Sequence, residues 1–135
     1  MSSIISELPP PLDKLVIENE KGSYKDFQLK PGDAYPLAGI TYPVDYGCLP
    51  GYNGEDGHEL DFLVGSDAEG KSGYILIWRN DVPTEHKYYV SMTEEELSQT
   101  LEVFKPVTNE HVVFATISEL LSSIALFKIN KNTQL

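Results

Sequence analysis

The order of patterns along this 135-residue chain, with strands first and helices last, predicts an α+β fold. Three observations support it: short β-rich runs in the first two thirds of the chain, clusters of Gly, Pro and Asp between those runs, and two helical patterns after them. Five strands are enough for a small closed or nearly closed barrel with the helices packed outside it. The predicted strands are 15–18, 24–29, 61–65, 74–79 and 87–91.

Two helices follow the strands, and each has a recognisable start. Thr93 is followed three residues later by Glu96, which is the spacing of a capping box at a helix N-terminus. This helix should end before Pro106, because proline disfavours helical geometry in the residue before it. Thr116 or Ser118 is the expected cap of the last helix, whose apolar residues recur at three- and four-residue spacing. The predicted helices span 94–103 and 117–127.

Length and cysteine content limit the domain organisation. Residues 1–13 are predicted to form an extended surface arm, because three consecutive prolines occupy positions 9 to 11. Residues 14–135 are predicted to form a single domain, since a chain of this length suits one hydrophobic core. The single cysteine, Cys48, excludes an internal disulfide framework and a cysteine-based zinc cluster, and it suits a reducing cytosol.

The chain is strongly acidic, with a formal net charge of -11 and a pI near 4.5. Such a charge opposes binding to nucleic acid or to an anionic membrane. No apolar run approaches the length of a membrane span, and the first residues lack the pattern of a signal peptide. We therefore expect a cytoplasmic protein with no nucleic-acid partner and no membrane partner. An anionic substrate would have to arrive with a metal ion, or bind onto one.

The segment 40–65 is the most informative part of the chain, because it places acidic side chains on a glycine-containing loop directly before an apolar strand. Gly54 and Gly57 allow the backbone a sharp turn. Hard divalent cations such as Mg²⁺ take one or two carboxylates and leave the other positions to water and phosphate oxygens. The loop therefore predicts a cation site and a phosphorylated substrate. The acidic residues assigned to this site are Asp56, Glu59 and Asp61.

Three ordered motifs extend this interpretation. A Val-Ile-Glu-x-x-Lys-Gly-Ser opening begins at Val16, and a Tyr-Pro-x-x-Tyr-Gly segment begins at Tyr42. An Asp-Gly-x-x-x-Asp-x-Leu-Val loop and strand begins at Asp56. Over residues 16–65 the chain therefore resembles the family I soluble inorganic pyrophosphatases, which carry these motifs in this order. Beyond residue 65 the resemblance is weaker.

The resemblance implies an inorganic pyrophosphatase-like fold: a small closed five-stranded OB-like β-barrel with two flanking helices. It implies hydrolysis of inorganic pyrophosphate, or of another small phosphorylated substrate, by water activated at Mg²⁺, with Mn²⁺ as the alternative ion. It leaves a homo-oligomer open. Glu18, Tyr46, Asp56 and Asp61 should converge on one cavity. The implied roles are catalytic for Asp61, Tyr46 and Lys25, substrate-binding for Glu18, Lys87 and Lys105, and metal-binding for Asp56, Asp61, His58, Glu59 and Glu85.

Departures from the family pattern leave other functions open. His58 replaces the middle aspartate of the loop, Glu59 replaces its proline, and Ala34 stands where the family carries a phosphate-binding arginine. Lys25 fits the family's second-strand lysine only after a one-residue deletion following Ser23. The alternatives to a pyrophosphatase are a catalytically degenerate protein that binds a phosphorylated ligand or a protein partner, and a phosphohydrolase with a changed substrate.

The later part of the chain matches the family in fewer positions. Glu85 and Lys87 fit its later Asp-x-Lys, with Asn80 or Asp81 at the preceding acidic position, and Arg79 is the only arginine in the chain. His86 and His111 have no supporting motif and are assigned no role, and the aromatic residues expected in the core or in an oligomer contact are Trp78, Tyr88 and Tyr89.

Overall fold

The computed structural model describes residues 3–78 and 84–129. These residues form eight strands, two α-helices and several short 3₁₀ helices. The strands are β1 (Val16–Asn19), β2 (Tyr24–Asp26), β3 (Gly39–Thr41), β4 (Asp45–Asn53), β5 (Glu59–Val64), β6 (Lys71–Ile77), β7 (Glu85–Met92) and β8 (Thr108–Phe114). The α-helices are α1 (Glu94–Phe104) and α2 (Ile117–Ile124), and the 3₁₀ helices are Ser3–Glu7, Leu12–Lys14, Lys105–Val107 and Ala125–Phe127.

Six strands form one sheet in the order β1-β4-β5-β7-β6-β8, and β2 and β3 form a separate two-stranded sheet. Neighbouring strands are antiparallel except β5 and β7, which run parallel. The α+β class is therefore confirmed, but the predicted number of strands is too low. Within residues 3–78 and 84–129 the pairings leave β1 and β8 at the two edges of the sheet. Closure into a five-stranded barrel is thus not observed there and stays a prediction.

Strand β4 was missed because its sequence contains residues that usually end strands. Gly47 lies opposite Ile17 of β1, where a Cβ atom would collide with the carbonyl oxygen of Val16. Pro50 is exposed and falls where the pairing of β4 with β5 shifts register. Glycine at a close backbone approach and proline at a bulge are both compatible with a strand. Strands β3 and β8 are also additional to the five predicted.

The N-terminal segment is not the predicted extended arm. It forms the 3₁₀ helices Ser3–Glu7 and Leu12–Lys14. Ile4, Leu8 and Leu12 lie four residues apart, are at most 6% exposed and belong to the hydrophobic core. Removing these side chains from water favours a packed segment over an extended one. The prediction of a surface arm is therefore wrong for the described part of this segment.

Both faces of the six-stranded sheet are covered. One face packs against α2 and the N-terminal 3₁₀ helices, around side chains that include Phe62 and Tyr88. The opposite face packs against α1 and the β2–β3 sheet, around side chains that include Leu63 and Tyr89. Consecutive residues of β5 and β7 enter different cores because side chains alternate along a strand. The predicted core position of both tyrosines is confirmed, whereas Trp78 is 37% exposed.

Both predicted helices are confirmed, and α1 has the predicted capping box. The Thr93 hydroxyl accepts a hydrogen bond from the Glu96 N–H (3.1 Å), and Glu96 Oε1 accepts one from the Thr93 N–H (2.9 Å). The same Glu96 oxygen accepts the N–H of Ser66 (3.1 Å), which attaches α1 to the β5–β6 turn. Thr116 caps α2, whose end tightens into the 3₁₀ helix Ala125–Phe127. Across the two described ranges, each helix is too short or too polar to cross a membrane.

Candidate functional site

The pleat of the central strands places several of the predicted site residues on one face of the sheet. Tyr46 of β4 lies opposite Leu63 of β5, and Asp61 precedes Leu63 by two residues, so all three share a face. The parallel β5–β7 ladder pairs Leu63 with Tyr89, and Lys87 precedes Tyr89 by two residues. The α1 core covers Leu63 and Tyr89. The part of the face that carries Tyr46, Asp61 and Lys87 is polar.

Lys87 is the centre of this polar region. Its Nζ donates hydrogen bonds to the Tyr46 hydroxyl (2.6 Å) and to Asp61 Oδ2 (2.9 Å), and it lies 3.3 Å from Glu85 Oε1. The side chains of Lys87 and Glu85 are 9% and 3% exposed, and that of Asp61 is 21% exposed. A charge removed from water to this extent requires such partners. One ammonium group therefore holds together carboxylates from two strands.

The contacts of Lys87 and Tyr46 determine their protonation at neutral pH. Burial by itself lowers the pKa of Lys87, but Tyr46, Asp61 and Glu85 raise it, and the resulting pKa lies well above the ordinary value of lysine. Burial raises the pKa of Tyr46, and the nearby charge of Lys87 opposes this without cancelling it. Lys87 is therefore charged and Tyr46 is neutral. The Tyr46 hydroxyl, which accepts from Lys87, keeps a proton that it can donate.

Three carboxylates come together beside Lys87. One oxygen each of Asp56, Asp61 and Glu85 lies within 4.8 Å of the others. Mg²⁺ and Mn²⁺ prefer carboxylate oxygens, so the donor atoms fit a hard divalent cation. Lys87 already neutralises part of this negative charge, which reduces the electrostatic gain from binding a cation. We call the residues Lys87, Tyr46, Asp56, Asp61 and Glu85 the Lys87 cluster.

A tight turn orients Asp56 within the β4–β5 loop. Gly57 has a φ of 82°, a left-handed conformation that favours glycine. Asp56 Oδ1 accepts the N–H of His58 (2.9 Å), and the His58 carbonyl accepts the N–H of Gly54 (2.8 Å). The His58 side chain is exposed, and in the described part of the chain it does not join the three carboxylates. The geometry thus gives no support to its predicted role as a metal ligand.

Glu18, Glu59 and Cys48 extend the acidic surface next to the cluster. Cys48 Sγ lies 3.6 Å from Glu59 Oε1, to which the thiol donates, and Glu59 is otherwise exposed. Burial, followed by the charges of Glu18 and Glu59, raises the pKa of Cys48 to about 12, so the thiol is protonated at neutral pH. Glu18 is exposed on β1, and after burial its charge contributes to raising the pKa of Tyr42. The Tyr42 ring stacks on that of Tyr46, with 4.7 Å between the centroids. Glu18 therefore acts electrostatically on two neighbours of the cluster, Cys48 and Tyr42.

Other predicted residues lie elsewhere. Lys25 is exposed on β2, in the separate two-stranded sheet. Lys105 is exposed after α1 and lines a shallow groove with Glu102 on the outer side of that helix. Ala34 is exposed in the connection between β2 and β3. The geometry joins neither lysine to the Lys87 cluster. Arg79, Asn80 and Asp81 lie outside the described residues.

Both histidines that were assigned no role have hydrogen-bonding partners. His86 Nδ1 lies 2.6 Å from Glu55 Oε2, and the His86 backbone N–H donates to Glu55 Oε1 (3.2 Å). His111 Nε2 lies 2.8 Å from the hydroxyl of Tyr89. The paired residues are 31 and 22 positions apart in the chain, so local sequence patterns contain no signal for these contacts.

Sequence reasoning assigned all five members of the Lys87 cluster to the site, and the structure brings them together from β4, β5, β7 and the β4–β5 loop. It missed Tyr42 and Cys48, which lie next to the cluster, and Glu55, which precedes Asp56 and contacts His86. Comparison of the chain with protein-family models, with curated proteins and with solved structures finds no match.

Proposed function

We propose that this protein hydrolyses inorganic pyrophosphate to phosphate with the help of a divalent cation, as its motifs over residues 16–65 imply. The observation that carries the proposal is the Lys87 cluster, in which carboxylates from three separate segments meet within 4.8 Å beside a buried ammonium group. Hydrolysis of a phosphoanhydride requires a cation, a positioned water and positive charge near the phosphate oxygens. The cluster contains side chains suited to each requirement.

Asp56, Asp61 and Glu85 would hold Mg²⁺, or Mn²⁺ as the alternative. When bound, the cation lowers the pKa of a water ligand and offsets negative charge on the phosphate groups. Asp61 orients the attacking water and receives its proton in this proposal. Tyr46 keeps its own proton and donates a hydrogen bond to a phosphate oxygen. Lys87 supplies positive charge and fixes the positions of Asp61 and Glu85, since its ammonium already has three protein partners.

A second function, binding of a phosphorylated ligand or a protein partner without catalysis, is favoured by the departures from the family. His58 stands at an acidic position of the family's loop, and among the described residues its exposed side chain does not join the three carboxylates, so the loop contributes one fewer acidic ligand than the family pattern. Ala34 provides no positive charge for phosphate. A phosphohydrolase with a changed substrate is consistent with the same departures.

Release of phosphate from pyrophosphate by the purified protein, with and without Mg²⁺ or Mn²⁺, tests the proposal. We expect metal-dependent release, and we expect Asp61→Asn to reduce it by at least about 100-fold, which is the usual effect of losing a group that moves a proton in the reaction. Glu95→Gln is the matched control, because it removes one exposed carboxylate from α1 and leaves the cluster intact. Equal release by both variants would exclude Asp61 from the reaction.

A further variant separates the enzyme from its alternatives. In a weakened pyrophosphatase, His58→Asp should increase Mg²⁺-dependent release, because it restores a charged oxygen ligand to the loop. If the His58 imidazole instead binds the metal ion or the substrate, His58→Asp should lower the rate of phosphate release with the preferred ion. Absence of release from the folded parent and from every variant, with both ions, would favour the binding protein. Nucleotides and sugar phosphates in the same assay would identify a changed substrate.

We also propose that the six-stranded sheet curves towards the closed five-stranded OB-like barrel of the family. Register shifts occur in four of its ladders, β1–β4, β4–β5, β6–β7 and β6–β8. Bulges of this kind bend and twist strands, which supports curvature. An experimental structure in which further hydrogen bonds close five of these strands into a ring would establish the barrel, and one in which no such ring forms would exclude it.

A further inference from the structure

The loop that carries Asp56 reaches β7 on both faces of the sheet, by hydrogen bonds on one face and by the proximity of two carboxylates on the other. Neighbouring residues of a strand point to opposite faces, so Glu85 and His86 at the start of β7 face different ways. Asp56 meets Glu85 on the face of the Lys87 cluster. The preceding residue, Glu55, reaches His86 on the other face through two contacts, 3.2 Å to the backbone nitrogen and 2.6 Å to Nδ1.

The His86 ring is held firmly by aromatic neighbours. Its centroid lies 5.7 Å from that of Tyr88 in a stacked arrangement, 4.6 Å from that of Tyr74 and 5.3 Å from that of Phe127. The side chains of His86 and Glu55 are only 24% and 26% exposed. Both contacts lie near the protein surface, and their carboxylate acceptor makes them charge-assisted hydrogen bonds.

The position of His86 in its strand makes its N–H accessible to Glu55. The parallel pairing of β7 with β5 begins only at Tyr88, opposite Phe62. His86 precedes that ladder, and the Glu55 carboxylate accepts its N–H. His86 pairs with Leu76 of β6 on its other side, so Glu55 takes the place of a strand neighbour only on the β5 side. The loop is thereby hydrogen-bonded to the strand that carries Glu85 and Lys87.

We propose that the Glu55–His86 pair positions the Asp56 carboxylate for a divalent cation. The two consecutive acidic residues have different partners: Glu55 contacts His86, whereas Asp56 forms the carboxylate triad with Asp61 and Glu85. The turn that joins Asp56 to His58 orients the carboxylate locally, whereas the Glu55–His86 pair sets the distance of the whole loop from β7. The inference rests on the cation site of the proposed function and does not depend on hydrolysis.

Titration with Mn²⁺, followed by the electron paramagnetic resonance signal of the free ion, measures cation affinity without turnover. The proteins to compare are the parent, Glu55→Ala, Asp56→Asn and the double variant. We expect Glu55→Ala to weaken Mn²⁺ binding about 10-fold or more, the usual effect of losing a partner that orients a metal ligand. In the Asp56→Asn background, Glu55→Ala should weaken Mn²⁺ binding by less than about 2-fold, because Glu55 then has no ligand to position.

Two controls separate positioning from charge and from folding. Glu69→Ala removes one exposed carboxylate from the β5–β6 turn, beyond the opposite end of β5, and should leave Mn²⁺ affinity within about 2-fold of the parent. If Glu55→Ala does not fold, His86→Phe replaces it, since phenylalanine keeps the ring packing and the backbone N–H but removes Nδ1. It should also weaken Mn²⁺ binding, and only when Asp56 is present.

The outcomes distinguish this inference from the proposed function. Unchanged affinity in Glu55→Ala, or an equal loss in the presence and absence of the Asp56 carboxylate, would overturn the positioning role. A parent that binds no Mn²⁺ would overturn both proposals. A parent that binds Mn²⁺, shows the expected dependence on Glu55 and releases no phosphate would overturn hydrolysis alone.

Discussion

At the scale of single residues, Lys87 makes the carboxylate arrangement compatible with a folded core. Glu85 has only 3% of its side chain exposed, and Asp61 contacts the same ammonium group. Carboxylates that are buried close together without a cation are costly, because they lose water and repel each other. Lys87 supplies that cation from within the chain.

We expect Lys87→Met to lower the free energy of unfolding by about 3–5 kcal/mol at pH 7, since it removes one partner of a buried charge network. Urea unfolding measures this difference. Lys105→Met is the matched control, because Lys105 is exposed, and its effect should stay within about 0.5 kcal/mol. Combining Lys87→Met with Glu85→Gln should recover part of the loss. A Lys87→Met protein as stable as the parent would show that the cluster does not contribute to folding.

At the scale of elements, Glu96 attaches the start of α1 to the sheet. Burial raises the pKa of its carboxyl group, but hydrogen bonds from Thr93 and Ser66 lower it by more, and the resulting pKa lies below the ordinary value. The pKa of the folded state is then below that of the unfolded state, about 4.3. Ionised Glu96 therefore stabilises the fold above that pH, and this contribution is lost as the pH falls through the folded-state pKa.

Replacement of Glu96 should make this contribution visible as a pH-dependent difference. We expect Glu96→Gln to cost about 1 kcal/mol at pH 7, the usual value of a helix cap, and less at pH 3, which lies below the pKa of the unfolded state. Urea unfolding of both proteins at the two pH values measures the difference. Glu95→Gln, which changes the exposed neighbouring residue, should show a small effect. An equal cost of Glu96→Gln at both pH values would contradict the role of the ionised carboxylate.

At the scale of the whole molecule, a net charge of -11 works against the compact state, and part of this charge is concentrated at one end of one sheet face. A cation that binds only the folded protein shifts the unfolding equilibrium by mass action. The free energy of unfolding should therefore increase when a cation binds.

We expect the unfolding midpoint to rise with added Mg²⁺ or Mn²⁺, with a gain of about 2.7 kcal/mol when the ion is present at 100 times its Kd. Thermal melts at constant ionic strength measure the shift. Asp61→Asn should remove most of it, whereas Glu95→Gln, with the same change in net charge, should retain it. If the midpoint rises equally in all three proteins, general screening explains the effect and the carboxylate triad is not a cation site.

The sequence by itself determined those features that depend on neighbours along the chain. The capping box of Thr93 and Glu96 and the cap at Thr116 follow from spacings of three residues, and both are present in the structure. The turn around Gly57 is another local feature. The ordered motifs over residues 16–65 also contain Tyr46, Asp56 and Asp61, and the later Glu85-x-Lys87 pair contains the other two members of the Lys87 cluster.

Only the tertiary structure decided how these pieces meet. Strand β4 was not predicted because it contains glycine and proline, which usually end strands. Its Gly47 is required where the backbone of β1 comes close. The N-terminal prolines indicated a surface arm, yet Leu8 and Leu12 are buried. Lys87 contacts Asp61, which is 26 positions away in the chain, and Glu55 contacts His86, which is 31 positions away. Such contacts depend on strand order, register and the alternation of side chains between faces, which are properties of the assembled sheet and of no single segment.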